Sequence, residues 1–74
     1  MTMQKIIKTP NFTARYNIAG RYDVFFCSLN LSIAEISLKG IKYKISGQFF
    51  TTLENFEIMN LLIICDHNLT NNLQ

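Results

Sequence analysis

Between Phe12 and Ser46 apolar and polar side chains alternate at almost every position, and nothing else in this sequence restricts the fold as tightly. Phe12, Ala14, Tyr16 and Ile18 are spaced by Thr13, Arg15 and Asn17, and Ile41, Tyr43 and Ile45 are spaced by Lys42, Lys44 and Ser46. Successive side chains of a strand point to opposite faces, so a period of two marks strands with one buried face and one wet face. Residues 22–27 add an aromatic and β-branched run that suits a pleated, half-buried surface.

The alternation has punctuation. Gly20-Arg21 offers a turn, and Lys39-Gly40 reads as a tight hairpin turn with glycine supplying the positive φ it needs. Leu29, Leu31 and Ile33 keep one phase, and Ile36 and Leu38 take the other. One extra residue near Ala34-Glu35 flips the apolar set to the other face, which a β-bulge or a sharp bend there explains. Pro10 ends an extended segment over residues 4–8, either a short edge strand or an N-terminal arm. Gly47 marks a further break before residues 48–52.

Residues 51–65 admit two readings. Thr51 and Glu54 form a capping box, which favours a helix. A helix would place Ile58, Leu62 and Cys65 opposite Phe56, Met59 and Ile63, with its polar residues scattered. A strand would place Phe56, Ile58, Leu62 and Ile64 on one face and Met59, Leu61, Ile63 and Cys65 on the other, buried on both sides. The strand is the expectation and a helix near 52–65 the alternative. The expected fold is mainly β: a small antiparallel β-meander, closed into a barrel in one version, with strands near 12–19, 21–27, 29–38, 41–46, 48–52 and 56–65. The alternative is α+β. Residues 1–74 form a single domain, with an arm over 1–10 and a frayed polar tail over 66–74.

Hydrophobic residues make up 49% of the chain and charged ones 16%, too apolar a balance for a disordered chain. With 74 residues the core is small, and only about 60% of the unfolded surface is buried in a domain of this size. The apolar run Leu61–Cys65 is far short of the ~20 residues a membrane span needs. The first residues lack the apolar stretch of a signal peptide, and Cys27 and Cys65 read as reduced, core-packed thiols of a cytoplasmic protein, with a Cys27–Cys65 bridge as the alternative. Abundant Ile, Asn, Lys, Phe and Tyr beside scarce Gly, Ala, Arg and Pro point to an AT-rich gene of bacterial, phage or parasite origin.

Catalytic provision is thin. His67 is the one histidine, and on a strand its neighbour Asp66 would face the other way. Cys27, Cys65, Asp66 and His67 lack the paired spacing of zinc ligands. No catalytic residue, metal or cofactor is therefore expected, and the chain is read as a non-enzyme. A net charge of +2 is modest for a nucleic-acid binder, although Lys42 and Lys44 share a strand face beside Lys39.

The stretch AEISLKGIKYKI over residues 34–45 resembles the PilZ domain family, whose (Asp/Asn)-x-Ser-x-x-Gly motif precedes an apolar-alternating strand. Ser37 and Gly40 match the motif's Ser and Gly, Glu35 replaces its Asp/Asn, and Arg15 and Arg21 are spaced differently from the family's upstream arginine pair. The resemblance implies cyclic di-GMP binding with Arg15 and Arg21 on the nucleotide. Gly47-Gln48-Phe49 and Met59-Asn60-Leu61 are similar to the first motif of Sm-like barrels at a longer spacing.

The leading expectation is a small protein-interaction module, of the kind a phage or mobile element uses as an inhibitor or accessory factor. A PilZ-like cyclic di-GMP sensor is the first alternative and a nucleic-acid-binding β-barrel the second. Candidate binding residues are Arg15, Arg21, Lys39, Lys42 and Lys44. Leu61, Ile63 and Cys65 are the candidates for contact with a protein partner or a second copy.

Overall fold

The computed structural model describes residues 4–27, 31–44 and 52–72, with side chains in the last segment from Asn55 onward. The alternating region forms five strands: β1 (Ile6–Lys8), β2 (Phe12–Asn17), β3 (Arg21–Phe26), β4 (Leu31–Ser37) and β5 (Gly40–Tyr43). They pair in chain order, each antiparallel to the next, as an open meander with β1 and β5 at its edges. The sheet is not closed into a barrel. A helix, α1 (Thr52–Asn71), covers one face instead, so the architecture is the α+β version of the expected fold.

The turns are built from the residues that punctuate the sequence. Asn17 pairs with Arg21, leaving the three-residue loop Ile18-Ala19-Gly20. The Gly20 N–H donates to the Asn17 carbonyl at 3.0 Å, Asn17 Oδ1 accepts from the Ala19 N–H at 2.8 Å, and Gly20 has φ +87°. That is a turn closed by a residue in left-handed geometry, a common three-residue hairpin. Ser37 pairs with Gly40 across Leu38-Lys39, and Gly40 has φ +121°. Ser37 and Gly40 thus shape this hairpin, and Ser37 Oγ accepts from the Lys39 N–H at 3.2 Å.

The phase flip has a physical origin one residue from its expected place. Val24 pairs with Ala34 but Phe25 pairs with Ser32, so Ile33 is the extra residue of a bulge in β4. Ile33 and Ala34 are both fully buried although adjacent, which is how two phases of apolar residues serve one core. The expected edge strand before Pro10 is β1. The expected strand over 48–52 lies outside the described residues except for Thr52, which opens α1.

The expected strand over 56–65 is a helix. Ile58, Leu61, Leu62, Cys65 and Leu69 fall at i, i+3, i+4, i+7 and i+11 and are all buried, one continuous stripe against β2 and β4. No glycine or proline interrupts residues 52–71. The stripe runs past residue 65, so the expected frayed tail from Asp66 is helical as far as Asn71, anchored by Leu69. The core closes where this stripe meets Phe12, Ala14, Tyr22, Val24, Ile33, Ala34 and Ile36. Each large side chain buried there stabilises the fold by about 1.5–3 kcal/mol.

Candidate functional site

The two faces of the sheet have different chemistry. On the face away from α1, register places Arg15 opposite Asp23, Asp23 opposite Glu35, and Glu35 opposite Lys42. Two carboxylates side by side repel, and cations on either side compensate. Arg21 Nε lies 3.4 Å from Asp23 Oδ1 and 3.6 Å from Glu35 Oε1, and Lys44 Nζ lies 3.0 Å from Glu35 Oε1. The hydrogen bond from Lys44, with the charges of Arg21, Lys44 and Lys42, holds the Glu35 carboxyl below its ordinary range against a smaller opposing effect of burial. The Arg15 guanidinium sits 5.1 Å from the centre of the Phe25 ring, a cation–π contact.

Four of the five candidate cations, Arg15, Arg21, Lys42 and Lys44, therefore gather on this face, with Lys39 on the adjoining turn. They are interleaved with acids, and the surface is a balanced mosaic rather than a basic field. Among the described residues, Lys39 and Lys42 form no ion pair. Exposed pairs of this kind add only about 0–1 kcal/mol each. The mosaic keeps the face wet and fixes its charge pattern.

The other notable surface lies on the helix side. Phe56, Met59 and Ile63 follow each other at i, i+3 and i+7 on the flank of α1 that does not meet the sheet, and they are 69%, 59% and 63% exposed. Across from them, β5 presents Ile41 and Tyr43, also about half exposed. Between the two runs a groove of about 440 Å³, floored by Ile36 and Leu62 and walled by Ile41, Tyr43, Met59 and Ile63. Gly40 and Asp66 complete its lining. The exposed stripe of α1, the exposed side chains of β5 and the groove between them thus form one apolar surface.

Of the three residues expected to meet a partner, only Ile63 reaches this surface. Leu61 and Cys65 are fully buried against the sheet. The correction follows from the period: on a strand, 61, 63 and 65 share a face, whereas on a helix each step of two turns the side chain by about 200°. Phe56, Met59, Ile41 and Tyr43 take the places of Leu61 and Cys65. For Phe56 and Met59 the signal lay in the helix alternative, which sets Phe56, Met59 and Ile63 against Ile58, Leu62 and Cys65.

The remaining chemistry-bearing residues are dispersed. Cys27 and Cys65 are free thiols; Cys65 is buried on the sheet-facing side of α1, whereas Cys27, expected in the core, is exposed just past the end of β3 with Sγ 3.0 Å from Thr13 Oγ1. Burial pushes the Cys65 thiol up to about 12. His67 is exposed on α1 with Nε2 2.9 Å from Asn71 Nδ2. Among the described residues no three His, Cys, Asp or Glu side chains converge as metal ligands, and no helix is long and apolar enough to cross a membrane. No protein-family model, curated protein or solved structure matches the chain.

Proposed function

We propose that this chain is a protein-interaction module whose contact surface is the apolar groove between β5 and α1. The observation that carries the reading is the exposed stripe Phe56, Met59 and Ile63 on a helix whose opposite stripe already fills the core. A helix apolar on two flanks serves two purposes: one flank stabilises the fold and the other is available to something else. The groove's walls are aromatic and flexible apolar side chains, the kind enriched at the centres of protein interfaces. Its lining offers a single charged group, Asp66, so no pair of acid and base stands ready for chemistry there. On this reading the module works by occupying a partner's surface, as a small inhibitor or accessory factor does, and not as an enzyme.

The test is a comparative affinity capture from bacterial extracts with the chain and with Met59→Asp/Ile63→Asp, both checked for native circular dichroism. Proteins retained by the wild type and lost by at least tenfold with the folded variant support the reading. Identical capture by both proteins would remove it.

A further inference from the structure

The open edge of β5 has a feature that apolar burial alone does not use. Its residues, Gly40 to Tyr43, are exposed along the whole strand, and among the described residues only β4 pairs with it. The Lys44 N–H donates to the Ile33 carbonyl of β4 at 2.8 Å. In an antiparallel ladder hydrogen-bonding residues alternate, so Lys42 also turns its backbone groups toward β4, and Ile41 and Tyr43 turn theirs outward. Edge groups of this kind are a template for another strand.

We infer that the β5 edge accepts an extended segment of a partner protein as an added strand, one that alternates acidic and apolar side chains. The inference rests on the reading of the neighbouring groove as the contact surface and gives the partner its chemistry. In a strand added beside β5, every second side chain would share the face of Ile41 and Tyr43 and enter the groove toward Met59 and Ile63. The intervening side chains would lie on the outer face beside Lys42 and Lys44, close to Lys39 at the turn. Among the described residues Lys39 and Lys42 lie within ion-pair distance of no carboxylate, and Lys42 acts on Glu35 only across the ladder, so carboxylates on the incoming strand meet Lys39 and Lys42 with room for a direct pair.

The same charges disfavour a second copy in that position. A two-fold antiparallel pairing of β5 with itself must match residues of the same face. It therefore sets Lys42 opposite Lys42, opposite Lys44, or diagonal to its own copy, and directly opposed like charges destabilise a sheet. A partner strand carrying Glu or Asp at those positions removes the conflict.

The experiment uses the full chain, labelled with nitrogen-15, and two synthetic nine-residue peptides, one alternating Val with Glu and the other Val with Lys. The Val/Glu peptide is expected to bind at least tenfold more tightly at low salt, with amide shifts confined to residues 40–44 and the 59–63 flank of α1. The preference should shrink at high salt, and Lys39→Gln/Lys42→Gln, which leaves the Lys44–Glu35 pair intact, should abolish it. Equal binding of both peptides, no binding of either, or shifts remote from β5 would overturn the inference. So would a concentration-dependent dimer by sedimentation whose interface maps to β5. The groove reading is judged separately by the capture experiment, because Met59→Asp/Ile63→Asp leaves the edge lysines in place.

Discussion

Two cysteines show how far position governs a side chain of fixed chemistry. Cys65 lies in the helical stripe with no exposure, and burial alone lifts its thiol to about 12. Cys27 stands in the open at the end of β3 beside the Thr13 hydroxyl. The reactive species is the thiolate, so an aromatic disulfide reagent at pH 8 should titrate one thiol of the native chain within minutes and both in urea. Rapid reaction of both in the native state would mean that α1 does not seal Cys65 from solvent. Tyr22 makes the same point in the core: its hydroxyl donates to the Gln4 carbonyl, and burial, with smaller contributions from Cys65 and Tyr16, pushes its pKa up to about 12. The buried tyrosine ring therefore stays neutral, tying the start of the chain to the centre of the sheet.

Among the described residues a polar cluster couples α1 to the turn between β1 and β2. Glu57 accepts hydrogen bonds from the Asn11 N–H at 2.8 Å, from Asn11 Nδ2 at 2.7 Å and from the Thr9 hydroxyl. Burial raises its carboxyl pKa, and these hydrogen bonds together outweigh that and hold it below the ordinary 4.5. A carboxyl with a lowered folded pKa contributes stability that is complete above its unfolded pKa and is lost as pH falls through the folded value. Urea midpoints should therefore fall as pH drops below about 4.5. Glu57→Gln should cost about 1 kcal/mol at pH 7 and flatten part of that acid dependence, with Glu35 supplying the rest. Parallel pH profiles for the two proteins would show that Glu57 does not clamp the helix. The strands were legible because alternation and glycine turns are local signals, and even the bulge was visible within a residue of Ile33. The helix was legible only as the alternative, through the capping box of Thr51 and Glu54. Apolar residues on two flanks of a helix blur the single stripe by which helices are recognised, and in a short sequence they imitate a strand buried on both faces. A period of two puts Leu61, Ile63 and Cys65 on one face, whereas the helix leaves Ile63 exposed and buries Leu61 and Cys65.

At the scale of the whole molecule the charges are segregated along the chain. All seven Lys and Arg residues lie between Lys5 and Lys44, and three of the five acids lie between Glu54 and Asp66. The sheet carries the cations and its own two acids, and the helix segment carries the remaining acids. The apolar groove sits at the seam between them. A domain of this size derives only about 3–5 kcal/mol from its core, so side chains left outside that core are absent from its stability unless something else uses them. The Phe56, Met59 and Ile63 flank is therefore expected to contribute nothing to the fold. Urea unfolding of Met59→Ser/Ile63→Ser beside Leu61→Ala tests it most directly. The double variant should stay within about 0.5 kcal/mol of the wild type, and Leu61→Ala should lose about 2–5 kcal/mol. A double variant as damaged as Leu61→Ala would place the exposed flank inside the folded core and contradict the account.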